Sequence, residues 1–153
     1  GNSSSRRPRN FTRRPRQQHY MGAVMDGSEN INKLTGAIIE SAYTVHRRLG
    51  PGLLEHAYRR CLAYEIAKTG LKAAAEVPLA LQYDELLVET AYRLDILVED
   101  IVIVEVKAVE KVLPVHHAQL LTYMKLGAKP VGLFLNFNAK RLSEGMKRMV
   151  NDL

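Results

Sequence analysis

The chain has 153 residues, of which 46% are hydrophobic, so it can form one domain with a sizeable core. No unbroken apolar run approaches the ~18 residues that a membrane span needs, and no secretory signal opens the sequence, so we expect a soluble, cytoplasmic protein without a membrane partner. The single cysteine, Cys61, excludes an internal disulfide and a cysteine-based zinc site, and it is typical of a reducing compartment.

The net charge of +6 comes from the N-terminal segment. Six arginines precede the first acidic residue, Asp26, and beyond them basic and acidic residues are equal in number. We interpret residues 1–28 as a disordered arginine-rich tail, because such a polar composition cannot bury enough apolar surface to become ordered. The tail could bind nucleic acid electrostatically, or it could lie outside the natural protein, which would then begin at Met21 or Met25. Residues 29–153 are predicted to form a single domain.

Two helices are predicted after this tail. Apolar residues recur three or four positions apart over residues 30–49, which is the stripe of an amphipathic helix, and Gly50-Pro51-Gly52 ends it. A second helix is predicted over residues 53–69, with Gly70 placed as its C-terminal cap.

The following residues change to the pattern of strands. Branched and aromatic residues, interrupted by turn-forming pairs, predict three consecutive strands over residues 77–82, 86–98 and 101–108. Pro114 then suits the first turn of a helix that Gly127 ends. A fourth strand is predicted over residues 131–137, and a closing helix over residues 139–150.

These elements follow in the order α-α-β-β-β-α-β-α, without an internal repeat. The expected fold is therefore α/β, with a mixed four-stranded sheet flanked by helices. The strand–helix–strand unit in its second half implies a parallel crossover between the third and fourth strands.

The third predicted strand carries the most informative charged residues. Its apolar beginning is typical of a central strand that is covered on both faces, but Glu105 and Lys107, two residues apart, point to the same face. Ionisable groups on a buried strand are costly unless they are paired or bind a metal. This pair could also simply reach solvent at the end of the strand.

A second carboxylate lies on the preceding strand, at Asp95. A two-residue turn at residues 99–100 would place Asp95 opposite Val104, on the other side of the sheet from Glu105. A three-residue loop at residues 99–101, or an equivalent bulge, would place it directly across from Glu105. Asp95 and Glu105 can therefore form one site only if a three-residue loop or a bulge gives the two strands of this hairpin an odd offset.

With that offset, the two carboxylates would lie ~5 Å apart and repel each other by roughly 3 kcal/mol at an effective dielectric constant of ~20. Lys107 supplies one compensating positive charge. A hard divalent cation such as Mg²⁺, which takes oxygen ligands from one or two carboxylates, would supply the rest. Such a cation suits phosphodiester chemistry.

Several motifs in this chain resemble the PD-(D/E)XK nuclease superfamily. Asp95, followed after nine residues by Glu105-Val106-Lys107, is similar to its signature on adjacent strands. Residues 52–58, which read GLLEHAY, resemble the motif that names the GxxExxY family, and residues 119–123, QLLTY, resemble the QxxxY helix of the RecB-like branch. The resemblance extends over residues 34–150.

This resemblance implies a restriction-endonuclease-like core and a nuclease that hydrolyses DNA with metal-activated water, using Mg²⁺ or Mn²⁺. It implies that Asp95, Glu105 and the main-chain carbonyl of Val106 bind the metal, and that Glu55 reaches it through water. Lys107 would contact the attacking water or the scissile phosphate.

The same resemblance implies that Gln119 and Tyr123 orient the catalytic lysine or contact the DNA backbone. His116 shares their helix face and is preferred over its neighbour His117 as a substrate contact. Other interpretations stay open, because Gln119 and Tyr123 could be a helix rim and a core aromatic residue. Likewise, Glu55 could be only a favourable charge near a helix N-terminus.

Two further motif residues have structural interpretations. Tyr58 is expected to pack in the core and thereby fix the helix that carries Glu55. His46, one turn before the first helix ends, resembles an extra metal ligand of some RecB-like enzymes, but a capping or solvent-facing position is expected.

Two functions follow from the sequence. The first is a metal-dependent deoxyribonuclease, which would be a homodimer if it cuts both DNA strands. The alternative is a catalytically silent nuclease-fold scaffold that binds nucleic acid or a partner protein.

Overall fold

The computed structural model describes residues 27–151. The chain divides after Leu34, and the described part of the first unit, residues 27–34, is the beginning of the first helix. The second unit starts at Thr35 and contains the remaining elements. The predicted tail over residues 1–28 lies almost wholly outside the described residues, so the proposed division at residue 28 stays a prediction.

The described residues form an α/β structure, as predicted. Its elements are α1 (Gly27–Leu49), α2 (Glu55–Lys68), β1 (Ala73–Tyr83), β2 (Leu86–Val98), β3 (Val102–Lys107), α3 (Pro114–Leu126), β4 (Val131–Asn136), a 3₁₀ helix (Leu142–Gly145) and β5 (Met146–Val150). None of the helices within residues 27–151 has the length and apolar character of a membrane span.

The strands lie in the sheet in their chain order, β1-β2-β3-β4-β5. The β1–β2, β2–β3 and β4–β5 pairs are antiparallel. The β3–β4 pair is parallel, and α3 forms the connection between these two strands. The mixed sheet and the parallel crossover are thus confirmed.

The prediction of four strands and a closing helix is wrong at the C-terminal end. Residues 139–150 form the 3₁₀ helix and β5 instead of one α-helix. Leu142, Met146 and Val150 recur four residues apart, which is a helical spacing. However, β4 is buried along its whole length, and without β5 one of its edges would have unpaired backbone groups. The strand β5 supplies the hydrogen-bond partners for these groups.

The first strand is longer than predicted. It begins at Ala73 rather than at Val77, although three consecutive alanines have little intrinsic preference for strands. Ala73 pairs with Val98, and the long β2 strand therefore provides a template that extends β1 toward its N-terminal end.

A core cluster between α3 and the sheet holds the central strands in place. It consists of Leu94, Leu97, Ile103, Leu120, Tyr123, Met124 and Phe134. The helix approaches β4 closely at Gly132, where an added Cβ would lie 2.7 Å from the Met124 sulfur. This close packing places the middle of α3 beside the strands that carry the candidate site.

Candidate active site

The two strands of the β2–β3 hairpin have the odd offset that brings Asp95 and Glu105 to one site. Its ladder pairs Ile96 with Val104, and the connection is the three-residue loop of residues 99–101. The first two loop residues have φ angles of 51° and 58°, which allow the chain to reverse tightly. The same register, continued by one pair, places Asp95 opposite Glu105. This confirms the three-residue loop and excludes the two-residue turn.

Asp95 lies where the β2–β3 ladder ends. One of its carboxylate oxygens, Oδ2, accepts a hydrogen bond of 2.8 Å from the main-chain N–H of Val106. Its other oxygen, Oδ1, lies 3.7 Å from Nη1 of Arg59 on α2. The Asp95 carboxylate thus accepts the N–H that a main-chain carbonyl would accept in a continued ladder. This hydrogen bond holds the carboxylate against β3.

Glu105 is the most deeply buried charged residue of the site, with 3% of its surface exposed. Its Oε2 lies 3.2 Å from Nζ of Lys107, and within the described residues its Oε1 has no hydrogen-bond partner. Burial is the main cause that raises its pKa to about 8, and the charge of Asp95 adds to this, while Lys107 opposes it. This carboxylate therefore lacks a positive partner for one oxygen.

The donor atoms here fit a hard divalent cation. The carboxylates of Asp95 and Glu105 and the carbonyl of Val106 are all oxygen ligands, which Mg²⁺ and Mn²⁺ accept. A buried oxygen without a partner is costly, and a cation would satisfy Oε1 of Glu105. No group of three His, Cys, Asp or Glu side chains forms a metal-ligating set within residues 27–151. A cation would thus take its other ligands from the main chain, water or substrate.

Glu55 is not part of this pair in the structure. It is the first residue of α2 and is half-buried, but within residues 27–151 it completes no three-ligand set with Asp95 and Glu105. Instead, Arg59, four residues later and therefore on the same helix face, contacts Asp95. Arg59 is not among the site residues predicted from the sequence, although its i+4 spacing from Glu55 is a signal that can identify it.

Tyr123 borders the carboxylate pair from α3. It is 6% exposed, and its ring centroid lies 5.1 Å from that of Tyr92. Burial raises the pKa of Tyr123 to about 12, and the negative charge of Glu105 contributes next. Tyr123 is therefore both a core residue and a neighbour of the site, with a hydroxyl that stays protonated. Gln119, one turn earlier, is half-buried.

The two histidines at the start of α3 lie beside Phe134 of β4. His116 accepts a hydrogen bond of 2.8 Å from the main-chain N–H of Leu113 through Nδ1, so it caps the helix. Its ring lies 6.3 Å from Phe134, and the ring of His117 meets Phe134 edge-on at 4.7 Å.

Tyr58 has the core position that we expected, whereas His46 neither caps its own helix nor faces solvent. The Tyr58 ring stacks on Phe137 at 4.9 Å, and its hydroxyl donates a hydrogen bond to the carbonyl of Gly50. Tyr58 thus packs in the core and ties the glycine turn to α2. The Nε2 atom of His46 lies 2.8 Å from the carbonyl oxygen of Ala139, which is a link to the segment after β4.

A mixed sheet flanked by helices, with an aspartate on one strand and a glutamate and a lysine on the next, defines a restriction-endonuclease-like protein. The model of the PD-(D/E)XK nuclease superfamily matches residues 32–149, and the chain belongs to this superfamily. Its members are in general nucleases, so the superfamily indicates nuclease chemistry and nucleic acid as a partner. No curated protein and no solved structure matches the chain.

Proposed function

We propose that this protein is a Mg²⁺- or Mn²⁺-dependent deoxyribonuclease of the GxxExxY family, with the QxxxY motif of the RecB-like branch. The observation that carries the proposal is the buried Glu105 carboxylate, whose Oε1 has no partner among the described residues while Asp95 and Lys107 lie beside it. A fold that needs only stability would not retain such a costly group.

Asp95, Glu105 and the carbonyl of Val106 would hold the cation, and Glu55 would reach it through water. When bound, the cation would lower the pKa of the attacking water and stabilise the charge that develops on the phosphodiester. Asp95 is already oriented by the N–H of Val106. Lys107 lies beside Glu105, from where its ammonium group can donate to the attacking water or to a phosphate oxygen.

Residues of α3 would complete the substrate side of the site. The raised pKa of Tyr123 keeps its hydroxyl protonated at neutral pH, so it can donate a hydrogen bond beside the carboxylates. We assign Gln119 to the orientation of Lys107, and Tyr123 and His116 to contacts with the DNA backbone. His116 would use Nε2 for this contact, because Nδ1 accepts the N–H of Leu113.

A second chain is needed if the enzyme cuts both DNA strands, because residues 27–151 hold one candidate site. We therefore propose a homodimer for double-strand cleavage. We also propose a cytoplasmic location, since a single cysteine is typical of a reducing compartment.

One observation favours a catalytically silent scaffold as the second candidate. Among residues 27–151 the carboxylate pair has no third acidic or histidine ligand, and Asp95 already lies beside the cation Arg59. A nuclease fold that only binds nucleic acid or a partner protein could keep Arg59 beside Asp95 and would need no metal there.

Incubation with plasmid, linear and single-stranded DNA, and with RNA, over a range of Mg²⁺ and Mn²⁺ concentrations tests the proposal. Lys107→Ala is the matched control, because it removes the ammonium group and leaves both carboxylates. We expect metal-dependent DNA cleavage by the parent protein and none by the variant. Equal cleavage by both would contradict the proposed site, and no cleavage of any substrate would favour the scaffold.

A further inference from the structure

Arg59 lies between two acidic residues of the sheet. Its Nη1 is 3.7 Å from Oδ1 of Asp95, and its Nη2 is 3.9 Å from Oε1 of Glu76. Both distances exceed those of hydrogen bonds, so neither carboxylate holds the guanidinium firmly. The Nη2 atom instead lies 3.0 Å from Nδ1 of His56 on the same helix. Arg59 is thus anchored from its own helix and shared by the two carboxylates.

Glu76 and Asp95 face each other across the β1–β2 pair. The ladder pairs Ala75 with Ile96 and Val77 with Leu94 in the same register, which places Glu76 opposite Asp95. Glu76 has a φ of 52°, a conformation that is uncommon for a residue with a side chain. The two carboxylates differ in exposure, because the Asp95 side chain is 14% exposed and the Glu76 side chain is 57% exposed.

The charges explain why Arg59 lies here. Without a divalent cation, Arg59 lies beside Asp95 and Lys107 lies beside Glu105, so each of the two carboxyl groups has one basic neighbour. A divalent cation would add two positive charges beside Asp95, and Arg59 would then be repelled. Its other neighbour, Glu76, is the acidic group that can receive it.

We propose that Arg59 is a positioning residue that occupies Asp95 in the absence of a cation and moves to Glu76 when a divalent cation binds. The inference rests on the proposed metal site at Asp95 and Glu105. It makes Arg59 a competitor of the cation for Asp95, and it makes Glu76 the residue that assists cation binding by accepting Arg59. Glu76 acts only through Arg59 and does not touch the metal.

Calorimetric titration with Ca²⁺ alone, without DNA, tests this exchange in four proteins. We expect Arg59→Gln to lower the Ca²⁺ dissociation constant by about three- to tenfold, because the competing charge is gone. Glu76→Gln should raise the constant by about two- to fivefold, because Arg59 then stays on Asp95. Arg60→Gln, which removes an exposed neighbouring charge, is the matched control and should change the constant less than about twofold.

The Arg59→Gln, Glu76→Gln double variant separates the exchange from general electrostatics. If Glu76 acts only through Arg59, the double variant should bind Ca²⁺ with the same dissociation constant as Arg59→Gln alone. If the two charges act independently, the free-energy effects of the two substitutions on Ca²⁺ binding should add. Additive effects, or an Arg59→Gln protein with unchanged or weaker affinity, would overturn the inference. Glu76 is exposed, so an unchanged Ca²⁺ affinity of Glu76→Gln would overturn the inference even if Arg59→Gln does not fold.

The two proposals fail in different ways. If the parent protein binds Ca²⁺ and Arg59→Gln binds it no more tightly, only the exchange is refuted. If none of the proteins binds Ca²⁺, the metal site itself is refuted, and the exchange with it. Ca²⁺ binding by Arg59→Gln but not by the parent protein would support both.

Discussion

Glu105 couples the stability of the metal-free domain to pH. Burial and the neighbouring Asp95 raise its pKa from 4.5 to about 8 in the folded protein. A carboxyl with a raised pKa binds its proton more tightly in the folded state than in the unfolded chain, so protonation favours folding. This contribution is fully present below about pH 4.5 and is lost as the pH rises through about 8.

The size of the effect follows from the two pKa values. The folded and unfolded pKa values differ by about 3.5, and each unit corresponds to about 1.4 kcal/mol, so the contribution of Glu105 has an upper limit of roughly 5 kcal/mol. This is a large part of the free energy of unfolding of a small domain, which is typically about 5–15 kcal/mol. Glu105→Gln keeps the shape of the side chain and removes the titration.

Urea unfolding in EDTA at several pH values between 5 and 8 measures this contribution. The difference between the free energies of unfolding of Glu105→Gln and the parent protein should increase with pH, in favour of the variant. Glu89→Gln, which changes an exposed glutamate on β2, should follow the parent protein. If the free energies of unfolding of Glu105→Gln and the parent protein changed in parallel with pH, the proposed role of Glu105 would be refuted. At pH 8, millimolar Ca²⁺ should stabilise the parent protein and leave Glu105→Gln almost unchanged.

Four further predictions concern chemistry, packing, helix propensity and assembly. Lys107→Ala should keep the rise in melting temperature that Ca²⁺ causes and lose DNA cleavage; loss of the Ca²⁺ effect would make Lys107 part of the metal site. Gly145→Ala should lower the free energy of unfolding by about 1–3 kcal/mol in urea titrations, because its Cβ would lie 2.7 Å from the Asn136 carbonyl oxygen. Gly36→Ala, a helical position with open space, should instead raise it by about 0.5–1 kcal/mol. Light scattering with DNA should show a dimer if both strands are cut, and a strict monomer would favour nicking or exonuclease action.

The local pattern of the sequence was sufficient for most elements and for the carboxylate pair. The helical stripes, the glycine stops and the change of period at residue 77 predicted α1, α2, β2, β3, α3 and β4. The motifs predicted the superfamily that the family model confirms. These signals are readable in one chain because each depends on residues a few positions apart.

Only the tertiary structure could decide the features that depend on distant residues. The segment Met146–Val150 is a strand because β4 offers it an unpaired edge, although its apolar spacing suits a helix. The offset of the β2–β3 hairpin was open in the sequence, since two- and three-residue loops were both compatible with it.

The electrostatics of the site also arose from folding. The unpartnered oxygen of Glu105 and its raised pKa result from burial between neighbouring strands and α3, which a linear sequence does not show. The contact of Arg59 with Asp95 joins a helix to a strand 36 positions away in the chain. The sequence by itself thus determined which ionisable residues are present and which strands carry them. Tertiary packing decided which of them are close together and which lose water, because these properties depend on contacts between segments that are far apart in the chain.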